Sequence, residues 1–379
     1  MTTAQEKDLS VPSTTYNVVR CRQLEGSYPG DPETGCWPIT SVRVMRGWGY
    51  VPQEAWPDSA LQSWPPREPP GLDEIAKRQR IFRYQRIRTA QECWVALHAR
   101  CPVMASFEIT RQWFDAVRGI ISIPEENTPV LGSHMVTIVG AEENFMVMPG
   151  SERRLFAFQN SWGRNWGVNG FGYLPWEFFN RWIVEAWTFD SFSPEKTSQD
   201  ISYWTVPGIG GGGAQYVGEI NDPIHDERVA WTIVTHRPDS LDVEELFVKP
   251  NFRRSGYGTK LLASLNDLSR SQKLPLRFLI PFSDCDLENL AVVRKILERI
   301  GHRVEISGLR WAPYVGILSS SPEITPYFPQ KPSLARPQPV SKDEMQRLTR
   351  EKAGVFDSDF QKAAESVFNE HEELLRRLA

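Results

Sequence analysis

The run LFVKPNFRRSGYGTKLL, residues 246–262, decides the fold of the second half of the chain. An apolar, strand-like segment enters a basic turn that contains Gly256 and Gly258, and the turn opens into an amphipathic helix. Such a turn directs backbone N–H groups towards one point, and the helix N-terminus adds partial positive charge there. The glycines let the backbone approach an oxyanion closely, and Arg253 and Arg254 add charge. The run therefore predicts a pyrophosphate site.

Predicted strands and helices alternate on both sides of this run. A G-x-G alone is also compatible with an ordinary strand-to-helix turn. Together with Pro250, Arg253 and the paired Leu261 and Leu262, however, it resembles the Arg-x-x-Gly-x-Gly signature of the GNAT acyltransferase superfamily. The hydrophobic pattern predicts strands over 229–235, 241–248 and 276–281 and helices over 259–269 and 287–300, the last ending before Gly301.

The resemblance implies that acetyl-CoA is bound as an acyl donor and that an amine of a protein, peptide or small molecule accepts the acyl group. A base is then needed to keep the amine neutral. Glu245 or a chain of waters is the candidate, and the neighbour Glu244 faces the other side of the strand. A salt-bridged or surface role is the alternative for the glutamate. The residues implied in cofactor binding are Leu246, Phe247, Val248, Arg253, Arg254, Ser255, Gly256, Tyr257, Gly258 and Thr259.

Two features depart from the family. Many members carry a tyrosine that protonates the leaving thiolate where this chain has Leu297, and Tyr314 is the alternative donor. The family also has a strand and two helices, which help bind the acceptor, before its second strand. Residues 200–216 have room for a strand but not for two helices. We therefore expect the acceptor side to be rebuilt, supplied by the first half of the chain, or lost.

Two motifs in the first half resemble papain-like cysteine peptidases. They are GSHMVTIVG, residues 132–140, and QNSWGRNWGVNGFGY, residues 159–173. In that family the histidine is the base for a cysteine, the asparagine orients the imidazole, and a tryptophan shields the pair. His134, Asn160 and Trp162 stand at the matching positions.

The nucleophile is harder to assign. Cys36 precedes a tryptophan, as the family's cysteine does, but it lies 98 residues before His134, whereas the family spacing is ~130–150 residues. The segment around Cys36 resembles chain that follows the catalytic helix. On this alignment the papain-like resemblance covers residues 9–190 without the part that carries the nucleophile and the oxyanion glutamine. Cys93 and Cys101 are weaker candidates.

Composition narrows the remaining choices. The net charge of −4 and the pI near 6.0 do not favour nucleic acid. No apolar run reaches the ~18 residues of a membrane span, and the polar N-terminus is no secretory signal. Five scattered cysteines indicate reduced thiols in a cytoplasm, and no Cys/His cluster predicts a metal.

The expected fold class is α+β in both halves, a papain-like domain lacking its N-terminal catalytic helix and then a GNAT-like mixed sheet. The leading function is acetyl-CoA-dependent N-acyl transfer with a peptidase-inactive first domain. The alternatives are a cysteine peptidase that uses His134, Asn160 and Cys36, and a binding or scaffold protein made of two inactive enzyme domains. The predicted division is residues 1–190, a linker at 191–215, 216–318, and a Ser/Pro-rich linker with a helical tail at 319–379.

Overall fold

The computed structural model describes most of the two predicted domains. The predictions for the helix at 287–300, Leu297, Gly301, Tyr314 and the tail beyond 319 lie essentially outside the described residues. Those described are 11–116, 119–125, 127–146, 152–190, 201–209, 213–222, 227–281, 295, 305–308 and 315–319.

Six α-helices lie in the described part of the chain. Their starts follow local capping chemistry: the Ser13 hydroxyl accepts from the N–H of Tyr16, and the Thr89 hydroxyl accepts from the N–H of Glu92. The helices are α1 (Thr14–Leu24), α2 (Pro38–Gly47), α3 (Leu72–Ala76), α4 (Ala90–His98), α5 (Trp176–Trp182) and α6 (Tyr257–Gln272).

The first domain contains a six-stranded antiparallel sheet. Its order is β1-β6-β2-β3-β4-β5, and α4 and α5 help to enclose an aromatic-rich core on it. Its strands are β1 (Arg83–Arg86), β2 (Val103–Ile109), β3 (Gly132–Met146), β4 (Glu152–Gln159), β5 (Phe171–Pro175) and β6 (Ile183–Asp190).

The second domain contains a mixed seven-stranded sheet in the order β12-β13-β11-β10-β9-β8-β7. Neighbours are antiparallel except β10 and β11, which are parallel. Its strands are β7 (Ser202–Val206), β8 (Gln215–Asp222), β9 (Glu227–His236), β10 (Leu241–Val248), β11 (Leu276–Pro281), β12 (Glu305–Gly308) and β13 (Val315–Ser319).

The α+β class is confirmed in both domains, and the strands predicted over 241–248 and 276–281 form with those bounds. The predicted linker at 191–215 differs from the structure in one respect. Within it, Ser202–Val206 forms β7, which pairs antiparallel with β8 at the edge of the second sheet. The sequence leaves room for a strand within 200–216, but this one is short and is followed by Pro207 and nearby glycines, so composition assigns it to the linker.

Helix α2 of the first domain packs on the second sheet. Because Gly47 has no side chain, the end of α2 comes close to Trp231, which is fully buried. The two domains therefore share a hydrophobic core rather than meeting at a hydrated boundary. Its buried members are Ile39, Val42, Ile81, Tyr84 and Trp187 of the first domain and Trp231, Ile233 and Phe247 of the second.

Candidate functional site

The histidine and asparagine predicted from sequence meet in the first domain. His134 lies on β3, and Asn160 directly follows β4, its neighbour in the sheet. The pairing brings His134 Nε2 to 2.7 Å from Asn160 Oδ1. The backbone N–H of Asn160 donates to the carbonyl of Gly170 at 2.9 Å, which ties the asparagine to the far end of its own loop.

Aromatic rings enclose the imidazole. The Trp162 ring centroid lies 4.8 Å from that of His134, and Trp113 meets the imidazole edge-on at 6.3 Å. Trp162 in turn stacks on Phe114 at 5.1 Å. The Trp166 indole N–H donates to the carbonyl of Trp113 at 3.1 Å. Trp162 therefore holds the loop against the histidine, and Trp166 ties it to the turn that follows β2.

This enclosure sets the protonation of the imidazole. Burial lowers the pKa of His134 below its usual range, and the hydrogen bond to Asn160 partly opposes that shift. A neutral ring whose Nε2 donates to the amide oxygen leaves Nδ1 as an acceptor. In the described part of the chain, Nδ1 makes no hydrogen bond. The pair thus has the form of an oriented base.

Cys36 is not joined to this base. Its Sγ lies 3.9 Å from the carbonyl of Val18 and contacts the thiol of Cys21, and no hydrogen bond connects it with His134 among the described residues. Cys36 lies just before α2 and lines a cavity of about 360 Å³ that also reaches Met135, next to His134.

The two weaker candidates occupy structural positions. Cys93 is fully buried in the core under α4, and burial strongly raises the pKa of its thiol. Cys101 follows α4 and is partly exposed; burial, with the Asp190 charge, raises the pKa of its thiol. Raised thiol pKa values disfavour the nucleophilic thiolate.

In the second domain, β10 and β11 part near their middle. They pair only from Leu241 with Leu276 to Val243 with Phe278, although both strands continue. A register shift between Val243 and Glu245 in the pairing with β9 marks a bulge at the same point. Residues 246–248 remain paired with β9, so their edge towards β11 is the one left open.

The basic turn lies at the end of this open edge. Arg254 has φ +67°, Gly256 has φ +84° and directly precedes α6, and no side chain caps that helix. Arg253, Arg254, Ser255 and Gly256 are exposed. Arg253 Nε lies 3.3 Å from the carbonyl of Val248. Helix N–H groups and two guanidinium groups are thus accessible at one place, as an anion site requires.

Glu245 is placed differently from the prediction. Its carboxylate accepts from Arg43 at 2.8 and 3.0 Å and from the Tyr84 hydroxyl at 2.8 Å, and only 5% of the residue is exposed. This ion pair favours the salt-bridged role of Glu245, the stated alternative, over that of a general base. Glu244 is also buried, with Oε1 2.9 Å from Arg88 and, among the described residues, no hydrogen-bond partner for Oε2. The prediction that it faces the other side of the strand from Glu245 is wrong, because the bulge in β10 breaks the alternation and leaves both carboxylates on one face.

Sequence reasoning missed the residues of the first domain that hold these carboxylates: Arg43, Tyr84 and Arg88. One signal was present. In the α2 sequence PITSVRVMRG, Arg43 and Arg46 are the charged residues of an otherwise uncharged helix. A cation buried on such a helix needs a buried partner.

Comparison with known proteins supports both family resemblances, papain-like in the first half of the chain and GNAT-like in the second. Residues 10–177 match the family model described as papain family cysteine protease, and residues 176–296 match the acetyltransferase (GNAT) family. The chain thus contains a papain-like domain followed by a GNAT acetyltransferase domain. The peptidase C1-like protein L477 of Acanthamoeba polyphaga mimivirus is 24% identical over 214 residues, which cover 50% of this chain and 65% of that protein.

Solved structures resemble each half separately. Xylellain, a cysteine protease from Xylella fastidiosa, is 21% identical and covers 50% of this chain and 73% of its own, with a TM-score of 0.43. The PaiA N-acetyltransferase of Thermoplasma acidophilum in complex with coenzyme A is 12% identical. The match covers 28% of this chain and 60% of that protein, with a TM-score of 0.22. None of the helices described for this chain is long and apolar enough to cross a membrane.

Proposed function

We propose that the chain is an acetyl-CoA-dependent N-acyltransferase. One observation carries the proposal: β10 leaves β11 after Val243, and the exposed basic turn at 253–259 stands at the end of the strand edge opened in this way. An extended donor with a pyrophosphate at one end needs this combination of an open strand edge and an anion site.

The residues fit the donor in two parts. The backbone of Leu246, Phe247 and Val248 offers N–H and C=O groups to the amide-containing arm. The turn from Arg253 to Thr259 offers N–H groups and positive charge to the pyrophosphate. Bound acetyl-CoA supplies the activated acyl group, and polarisation of its carbonyl by backbone N–H groups is the contribution expected of the strand. The acceptor is an amine that must lose a proton, and the ion pair of Glu245 with Arg43 favours a base other than Glu245.

Titration calorimetry with acetyl-CoA tests the donor site. Arg253→Ala should weaken binding about 10- to 150-fold, the equivalent of the ~1.5–3 kcal/mol of a charged hydrogen bond. Arg270→Ala is the matched control, since Arg270 is exposed at the opposite end of the same helix. Equal losses for both variants, or none for either, would contradict the assignment.

A second pair of variants separates the effect of side-chain volume on acetyl-CoA binding from the effect of backbone strain. A Cβ at Gly256 would meet nothing within 4 Å, but φ +84° strains any side chain there. Gly256→Ala and Gly256→Trp share that strain and differ in volume. If the turn holds the pyrophosphate, the tryptophan variant should bind acetyl-CoA far more weakly than the alanine variant.

We further propose that the first domain does not cleave peptides through Cys36. A general base acts only on a nucleophile within ~2.6–3.2 Å, and the Cys36 thiol faces Val18 and Cys21 instead. The intact pair of His134 and Asn160 favours the alternative, a cysteine peptidase. A fluorogenic peptide assay decides between them: a signal lost in both Cys36→Ala and His134→Ala would establish the peptidase.

A further inference from the structure

The two faces of the central strand β10 have opposite chemistry. Leu241, Val243 and Leu246 pack towards α6 in an apolar cluster. The other face is buried as well, yet it is mostly charged, and a charged face can be buried only against partners. It carries Asp242, Glu244, Glu245 and Phe247, none of which is more than 7% exposed.

The partners of the two adjacent carboxylates, Glu244 and Glu245, come from the first domain. Glu245 is held by Arg43 and Tyr84, and Glu244 by Arg88. No residue of the second domain, among those described, forms an ion pair with either carboxylate. Asp242 differs, because Arg277 on β11 also binds it, at 2.6 and 2.9 Å.

These contacts lie at the start of the donor slot, by which we mean the open edge of residues 246–248 towards β11. Glu244 and Glu245 form the bulge in β10, immediately after the last residue that pairs with β11 and immediately before Leu246. A bulge leaves the ladder locally irregular, so its geometry depends on what packs against it. Here the packing is supplied by the bidentate Arg43, whose guanidinium also lies 5.1 Å from the Phe247 ring centroid.

Without the first domain this arrangement would lose its support. Two adjacent carboxylates on an irregular strand repel each other, and Trp231 and Phe247, which pack at 4.6 Å, would face water. The strand would relax at the bulge, and the edge of residues 246–248 would shift relative to β11. The slot therefore depends on contacts outside the domain that contains it.

We propose that the papain-like domain is a structural part of the acetyl-CoA site, with Arg43 and Arg88 as positioning residues that fix the bulge of β10 and thereby hold the slot open. The donor role of the slot rests on the proposed function, whereas the dependence of the bulge on the first domain does not. On this proposal the first domain supports the donor site through contacts that the transferase domain does not itself supply.

The test compares two buried arginines in the full-length chain. Arg43→Met removes the pair at the bulge. Arg20→Met is the matched control, since Arg20 is also buried and bridges Glu68 and Asp73 within the first domain. Hydrogen exchange by mass spectrometry reports the amides of 244–248, and calorimetry reports acetyl-CoA affinity. Arg43→Met should speed exchange there and weaken binding, each by about tenfold or more, and Arg20→Met should change neither.

A double variant tests charge pairing. Arg43→Met with Glu245→Gln removes the stranded charge and keeps an acceptor for Tyr84, so both readouts should recover part of the way towards wild type. Unchanged exchange at 244–248 in Arg43→Met, or equal effects in Arg20→Met, would overturn the inference. If the wild type shows no acetyl-CoA binding, the proposed function fails. The exchange comparison without ligand still decides whether the first domain fixes the bulge of β10.

Discussion

Replacing Gly47 with alanine should force the two domains apart. A Cβ at this last residue of α2 would lie 2.8 Å from Cη2 and 3.1 Å from Cζ3 of Trp231, and 3.4 Å from Cε of Lys249. The indole is fully buried and cannot turn away freely. Its N–H donates to the Tyr84 hydroxyl at 3.2 Å, and its ring packs on Phe247. The helix or the ring must therefore move.

Two effects of opposite sign decide how much Gly47→Ala changes the free energy of unfolding. Overpacking costs about 1–3 kcal/mol, while alanine in place of a helical glycine gains up to about 1 kcal/mol, and less at the end of a helix. We expect a net loss of about 0.5–2 kcal/mol and a melting temperature lower by about 1–8 °C. Gly47→Val adds volume with little gain in propensity and should lose more.

Differential scanning calorimetry gives the comparison, with Gly35→Ala as the control. A Cβ at Gly35 would meet nothing within 4 Å, so that variant should stay within about 0.5 kcal/mol of wild type. A higher melting temperature for Gly47→Ala would refute the close contact of α2 with the sheet, because propensity alone would then account for the change.

Three further expectations concern burial and protonation. Trp166→Ala should cost about 3–5 kcal/mol in urea unfolding, because this ring is 4% exposed, whereas Trp37→Ala, at 37% exposed, should cost under about 0.5 kcal/mol. The pKa of His134 is lowered by burial, so the folded state binds fewer protons than the unfolded state, and stability should fall as the pH drops below 6.5; His134→Gln should flatten that fall. Burial lowers the pKa of Lys249 to about 8 from 10.5 despite its bond to Glu227, so stability should rise with pH between these values, and Lys249→Met should remove that rise.

The motifs and elements that sequence could predict are those whose information is local. A turn with two glycines and two arginines, or a histidine strand followed by an asparagine–tryptophan loop, needs only neighbouring residues to be recognised. The role of Glu245 could not be predicted in this way, because its partner Arg43 is 202 positions away along the chain. Likewise the sequence allows a strand within 200–216, but its place at the edge of the second sheet depends on its pairing with β8. In both cases the structure depends on partners that are distant in sequence or belong to another strand.

The intact histidine–asparagine pair has an explanation that does not require peptidase activity. Asn160 is 7% exposed, and His134 lies beneath Trp162, so each polar group needs the other as a partner. Loss of one would leave a buried donor or acceptor unsatisfied, at a cost of about 1–3 kcal/mol. The same core contains Trp162 and Trp166, which both contact Trp113. If the first domain serves to support the transferase sheet, the stability of this core is sufficient reason for the geometry of a catalytic base to remain.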